Sequence, residues 1–154
     1  MLIDTRSRTP QEMYRLMSGI VVPRPIAWIS TLSGAGLVNL APFSCFTFVS
    51  NSPPMIGVNI GRKAGKEKDT ARNIRRAGDF VVNIGTLSMT DLIHSSAIEF
   101  PEDESEVDAL GLETVASIGI TAPRLKIAPI SMECRLERVI EFGDTGAELF
   151  VGQV

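Results

Sequence analysis

The sequence predicts a β-rich fold, a barrel or sandwich of short strands carrying a few small helices. Between residues 20 and 60, runs rich in branched and aromatic side chains follow one another at short spacing, divided by Gly, Pro, Asn and Ser clusters. Helix signals are brief and isolated. Near the end of the chain, apolar residues recur at a period of two, which is strand periodicity.

Thr9-Pro10-Gln11-Glu12 has the spacing of a capping box with proline at the first helical position, and Gly19 supplies a stop. Strand candidates then follow at Ile20 to Val22, Ile26 to Leu32, Leu37 to Leu40, Phe43 to Ser50 and Met55 to Ile60. Ser33-Gly34-Ala35-Gly36 reads as a hairpin loop and Asn51-Ser52-Pro53-Pro54 as a second turn. A helix is expected over Ala71 to Ala77, with Asp69 as its N-cap and Gly78 as its C-terminal stop. Phe80 to Ile84 reads as a buried strand, and Ser88-Met89-Thr90-Asp91 as a second capping box opening a short helix towards His94. Glu99 to Asp108 is acidic and contains Pro101, the signature of an exposed loop. Met132, Cys134, Leu136, Ile140 and Phe142 share one parity and define the buried face of a strand. Gly143-Asp144-Thr145-Gly146 turns it into a last strand, Glu148 to Val154.

A chain of 154 residues is enough for one domain, spanning residues 1–154, and buries about two thirds of its unfolded surface without staples. Hydrophobic residues at 44% and charged residues at 21% are globular values, and the net charge of −3 supplies no basic field for nucleic acid. The opening Met1-Leu2-Ile3-Asp4-Thr5-Arg6 does not read as a signal peptide, and no apolar run approaches the about twenty residues of a membrane span. Cys45 and Cys134 are isolated thiols and His94 is the single histidine, so a Cys/His zinc cage is not expected. A cytoplasmic location fits these features.

The standard nucleotide fingerprints fail. Gly34-Ala35-Gly36-Leu37-Val38-Asn39 lacks a third glycine and sits in a hairpin. Gly61-Arg62-Lys63-Ala64-Gly65-Lys66-Glu67 is one residue short of a phosphate loop and ends on Glu, where a hydroxyl is required. A local anion site is nonetheless expected: Arg62, Lys63, Lys66 and Lys68 crowd the start of the helix opening at Asp69-Thr70. The unpaired N–H groups and positive dipole of a helix start favour a phosphate, with Lys68 and Thr70 as the foremost candidates. The alternative reading of that segment is a solvated basic loop. Asn39-Leu40-Ala41-Pro42-Phe43-Ser44-Cys45-Phe46 mixes small, polar and aromatic residues and suits a flat ring with polar edges. In that reading Asn39 and Ser44 meet its heteroatoms and Phe46 covers its apolar part; the alternative is a strand entry with a proline bulge. His94 and Cys45 read better as structural residues than as catalytic ones. Trp28 suits core packing as well as it suits a ring contact.

Taken in order, Val22-Pro23-Arg24-Pro25-Ile26-Ala27-Trp28-Ile29-Ser30-Thr31, Asn39 to Ser44, Ser50 to Pro54, Lys68-Asp69-Thr70 with Asn73, Phe80 to Asn83, Glu133-Cys134 and Val151-Gly152 resemble the flavin reductase-like, FMN-binding split-barrel family. The resemblance implies a six-stranded split barrel with small flanking helices, usually a homodimer, holding FMN near the subunit interface. It implies that Trp28, Ser30 and Thr31 line the flavin site, that Asn39, Ala41, Pro42 and Ser44 contact the ring or ribityl chain, and that Lys68 and Thr70 hold the phosphate, with Arg62 and Arg24 as further candidates. It implies electron flow from NAD(P)H through the flavin to free flavin or a protein such as a monooxygenase, with no side chain acting as acid or base. An electron carrier and a non-catalytic flavin- or partner-binding module are the alternatives. Family members usually continue past the counterpart of Val151 to Val154, so an uncovered edge at the last strand is expected.

Overall fold

The computed structural model describes residues 2–154. Its helices are α1 (Pro10–Ile20), α2 (Asp69–Ala77), α3 (Thr90–Ser95) and α4 (Glu106–Ala109). The strands are β1 (Ala27–Leu32), β2 (Val38–Phe43), β3 (Phe46–Asn51), β4 (Pro54–Ile60), β5 (Asp79–Ile84), β6 (Thr114–Val115), β7 (Arg124–Leu125), β8 (Ile130–Phe142) and β9 (Ala147–Gln153). Seven of these form one antiparallel sheet in the order β2-β1-β5-β8-β9-β4-β3, and β6 pairs with β7.

The two ends of that sheet are β2 and β3, yet only Ser44 and Cys45 separate them in the chain. Two residues reach too short a distance to join the far edges of a flat sheet. The sheet must therefore curl until its ends meet at that corner, where the Asn59 amide donates to the Cys45 carbonyl at 2.8 Å. The result is a barrel left open between β2 and β3. It has seven strands where the resemblance implies six, β3 being hairpinned onto β4 at the open edge.

One apolar cluster fills the barrel: Ile29, Val58, Ile60, Phe80, Val82 and Phe150, closed on one side by Ala71 and Ile74 of α2. Gly152 of β9 admits the Phe80 ring, whose Cζ lies 2.6 Å from where a Cβ would stand. A second cluster forms on the opposite face of β1 from Trp28, Leu40, Met89, Val107 and Leu125. Strand β1 thus buries both faces, the hydroxyls of Ser30 and Thr31 included. Asn83 holds the loops to this layer: it donates to Trp28 O and Ser30 Oγ, and accepts from Leu125 N and Ser131 Oγ.

Several expectations are corrected. Ile20 to Val22 is no strand, because α1 runs through Gly19 to Ile20 and stops only as the chain approaches Pro23. The cap of α2 is Lys68, with Asp69 already in the first turn, where it pairs with Arg72. Ser88 caps nothing: its hydroxyl meets Thr86, and α3 begins after a 3-10 turn at Leu87–Met89. The last strand has no uncovered edge, since β9 lies between β8 and β4. The acidic segment is exposed apart from half-buried Phe100 and the buried stretch Ser105 to Val107. Ser105 then caps α4, and Glu106 and Val107 are buried against β2.

The parity expected along β8 also breaks. A register shift between Leu136 and Arg138 leaves Glu137 as an extra residue, so the inward side changes from even to odd positions. Met132 and Leu136 pack on the barrel core, and after the bulge Val139 does, while Ile140 and Phe142 are exposed. Val139→Ala is therefore expected to destabilise the protein by about 1 kcal/mol and Ile140→Ala by less than about 0.5 kcal/mol. Urea denaturation of the two variants checks the order.

Candidate functional site

A cleft of about 720 Å³ opens between β2, the loop leading into α2, and the segment after α3. Its floor comes from Asn39, Ala41, Pro42 and Phe43, whose small or flat side chains leave the strand surface accessible. Lys68 and Thr70 stand on one wall, Ser96 and Ala97 on the other. A shallower depression of about 310 Å³ adjoins it, sharing Pro42 and Ala97 and adding Ile26, Ser44, Ile93 and His94.

The start of α2 is the electropositive end of the cleft. No side chain caps this nine-residue helix, so its first amides lack a side-chain acceptor there. Lys68 lies over the Phe43 ring, 5.2 Å from its centroid. Among the described residues no carboxylate pairs with it. Burial, and then the neighbouring Lys63 charge, press the Lys68 ammonium below the ordinary lysine range. Two neighbouring cations are neutralised by carboxylates. Lys63 reaches across to Glu99 at 2.7 Å, which holds that exposed carboxylate below its ordinary range, and Arg75 joins Glu67 and the buried Glu148. A partly buried ammonium beside uncapped amides matches the charge and donors that a phosphate monoester needs.

Behind the floor runs a chain of side-chain hydrogen bonds. Thr70 Oγ1 donates to Asn39 Oδ1 at 2.9 Å, and Thr31 Oγ1 donates to the same oxygen at 3.3 Å while accepting from Asn73 Nδ2. Asn39 Nδ2 donates to Glu106 Oε1 at 2.8 Å, and the Leu40 amide donates to Glu106 Oε2 at 2.9 Å. Burial pushes the Glu106 carboxyl above its ordinary range, against those two hydrogen bonds. With Ser105 Oγ donating to Val38 O, Glu106 also occupies the backbone groups of the β2 edge.

Of the twelve residues singled out from the sequence, half line the cleft or its neighbouring depression and half do not. Asn39, Ala41, Pro42, Lys68 and Thr70 line the cleft, and Ser44 lines the adjoining depression. Trp28, Ser30 and Thr31 are wholly buried behind it: Trp28 Nε1 donates to Ser96 Oγ at 2.8 Å, and Ser30 Oγ to Pro123 O at 2.6 Å. Phe46 packs on the barrel core. Arg24 is tied to the carbonyls of Ser18 and Val21, with Nε 3.4 Å from Ser44 Oγ. Arg62 lies against Gly146 in the β8–β9 turn, away from the cleft, because it leaves β4 before the loop swings towards α2. Of the residues outside that set, Cys45 is exposed, and burial pushes the Cys134 thiol up to about 12.

Glu106 is the residue of this site that the sequence concealed. In an acidic run it reads as solvated, and the signal that distinguishes it is the Ser105-to-Asp108 cap spacing.

The model of the flavin reductase-like domain matches residues 17–154. The chain belongs to the flavin reductase-like family. Among its relatives, the uncharacterized protein YwrF of Bacillus subtilis is 41% identical over 148 residues, covering 94% of this chain and 72% of the relative. Among solved structures, nitrilotriacetate monooxygenase component B from Bacillus cereus is 37% identical with a TM-score of 0.96, covering 100% of this chain and 78% of that one. The 2-nitrobenzoate 2-nitroreductase NbaA of Pseudomonas fluorescens is 31% identical with a TM-score of 0.89, covering 100% of this chain and 74% of that one. No helix among the described residues is long and apolar enough to cross a membrane.

Proposed function

We propose that this protein binds FMN in the cleft beside α2 and passes electrons from NAD(P)H through the flavin to free flavin or to a protein partner. The observation that carries the reading is the uncapped start of α2 with the unpaired Lys68 beside it, at the end of a cleft large enough for a flavin. Lys68 and the first amides of α2 hold the phosphate. The Ala41-Pro42 floor takes the ring, and Asn39 stands at its polar edge. When bound, the flavin supplies the redox chemistry by accepting hydride from a nicotinamide. The protein's part is to bind, orient and exclude water, which suits a site without a catalytic triad or metal cluster among its described residues.

Two features favour partners. The Bacillus cereus neighbour is named as a component of a monooxygenase, consistent with a reductase that feeds a second protein. Helix α1 buries none of its residues and exposes Tyr14, Met17 and Ile20, an apolar face suited to a second copy of the chain in a homodimer.

The test is anaerobic reduction of the FMN-loaded protein by NADH, NADPH or dithionite, followed by absorbance. Reduction by a nicotinamide and turnover with free flavin are expected. Reduction by dithionite alone would leave an electron carrier or binding module, and failure to bind FMN would end the reading.

A further inference from the structure

Glu106 is a buried carboxylate with no cation within ion-pairing distance among the described residues, and its two bonded donors differ in kind. The Leu40 amide can only donate. The Asn39 side chain can present either its amide nitrogen or its oxygen. With Glu106 ionised both carboxylate oxygens accept, so Asn39 must turn its nitrogen to Glu106 and its oxygen to Thr70 and Thr31. An amide oxygen carries no proton. The Thr70 hydroxyl is then committed as a donor into the wall, and what Thr70 offers an anion in the cleft is its backbone N–H.

We propose that Glu106 is a positioning residue: its charge sets the orientation of the Asn39 amide and, through it, whether the Thr70 hydroxyl donates into the wall or into the cleft. A neutral Glu106 keeps Oε2 on the Leu40 amide and carries its proton on Oε1. Asn39 then accepts that proton with its oxygen and turns its nitrogen to Thr70 and Thr31. The Thr70 oxygen becomes an acceptor and its proton is free to meet a phosphate oxygen, while Thr31 Oγ1, which already accepts from Asn73 Nδ2, gives up its 3.3 Å bond to the Asn39 oxygen. Anion binding and proton uptake at Glu106 therefore favour each other.

The groups facing Glu106 act in known senses. Asp69 on α2 opposes its ionisation. Lys68, the cap of α2, and Arg72 line the same cavities as Glu106 with charges that favour ionisation, while Glu102 and Glu104 on the preceding loop line them with charges that oppose it. Strand β2 contributes only the neutral Asn39 and Leu40 donors. This inference rests on the FMN reading for its ligand and on the hydrogen-bond geometry for its mechanism, and two measurements separate them.

The first uses flavin-free protein. The side-chain amide resonances of Asn39, followed by 15N NMR against pH, are expected to move with one titration in the wild type. In Glu106→Gln they stay at the wild type's acid limit. That variant is isosteric and keeps an oxygen for Leu40, while its amide nitrogen mimics the protonated acid. A pH-independent wild-type signal, or a variant signal at the wild type's neutral position, overturns the proposal. The second compares FMN with riboflavin, which lacks the phosphate. Glu106→Gln is expected to bind FMN about fivefold more tightly with riboflavin unchanged, and Thr70→Val in the same chain removes the gain. Equal or weaker FMN binding, or a gain that survives Thr70→Val, overturns the proposal. A wild type that binds neither flavin overturns the FMN reading instead, and the Asn39 titration then decides the positioning role.

Discussion

Trp28→Ala is expected to lower the unfolding free energy of the flavin-free protein by about 3–5 kcal/mol. The indole is wholly buried against Leu40, Met89, Val107 and Leu125, in the layer on the opposite face of β1 from the barrel core. Alanine removes that packing and leaves a cavity among elements that are already fixed, β1, β2, α4 and β7, so the gap closes poorly. It also leaves Ser96 Oγ without the indole donor, although that hydroxyl still donates to the Ile93 carbonyl. Trp28→Phe keeps most of the apolar area and loses the hydrogen bond, so its cost is about 1 kcal/mol. Urea denaturation without flavin isolates this core role from any ligand contact. A loss below about 1 kcal/mol for Trp28→Ala would contradict it.

Lys68→Met is expected to weaken FMN binding by about 10- to 100-fold, from the ~1.5–3 kcal/mol of a charge-assisted hydrogen bond, while riboflavin binding changes little. Methionine preserves the apolar stem over Phe43, so the difference between the two flavins reports the ammonium and not the packing. Because burial and Lys63 depress the Lys68 pKa, its charge is lost at lower pH than an ordinary lysine's. The preference for FMN over riboflavin should accordingly shrink as pH rises, beginning below the usual lysine range. Fluorescence titration of both flavins across pH measures this. Equal weakening of FMN and riboflavin would place the phosphate elsewhere.

Much of the fold was readable because its signals are local. The Thr9-to-Glu12 capping box forms as its spacing requires, with Glu12 accepting from the Thr9 amide at 2.8 Å and the Thr9 hydroxyl accepting from the Glu12 amide. The Ser33 hairpin and the left-handed Gly78 closing α2 likewise depend on a few adjacent residues. Cleft residues were readable where a small or charged side chain sits beside a recognisable terminus, as Lys68 does. Trp28, Ser30 and Thr31 show the limit: their order in the chain does not say what their side chains meet, and because both faces of β1 are covered all three become buried partners of Ser96, Pro123 and Asn39.

The amino-acid order alone established the strand-rich architecture, the family motifs in sequence and the basic approach to α2, since each arises from neighbours within a few residues. Three-dimensional packing settled what depends on distant partners: the bulge that reverses β8, the removal of Arg62 from the cleft, and the burial of Glu106. That carboxylate is 66 residues from the Leu40 amide that it accepts. Its environment exists only once β2 and α4 have met, because a charge sheds its water only where other donors replace it.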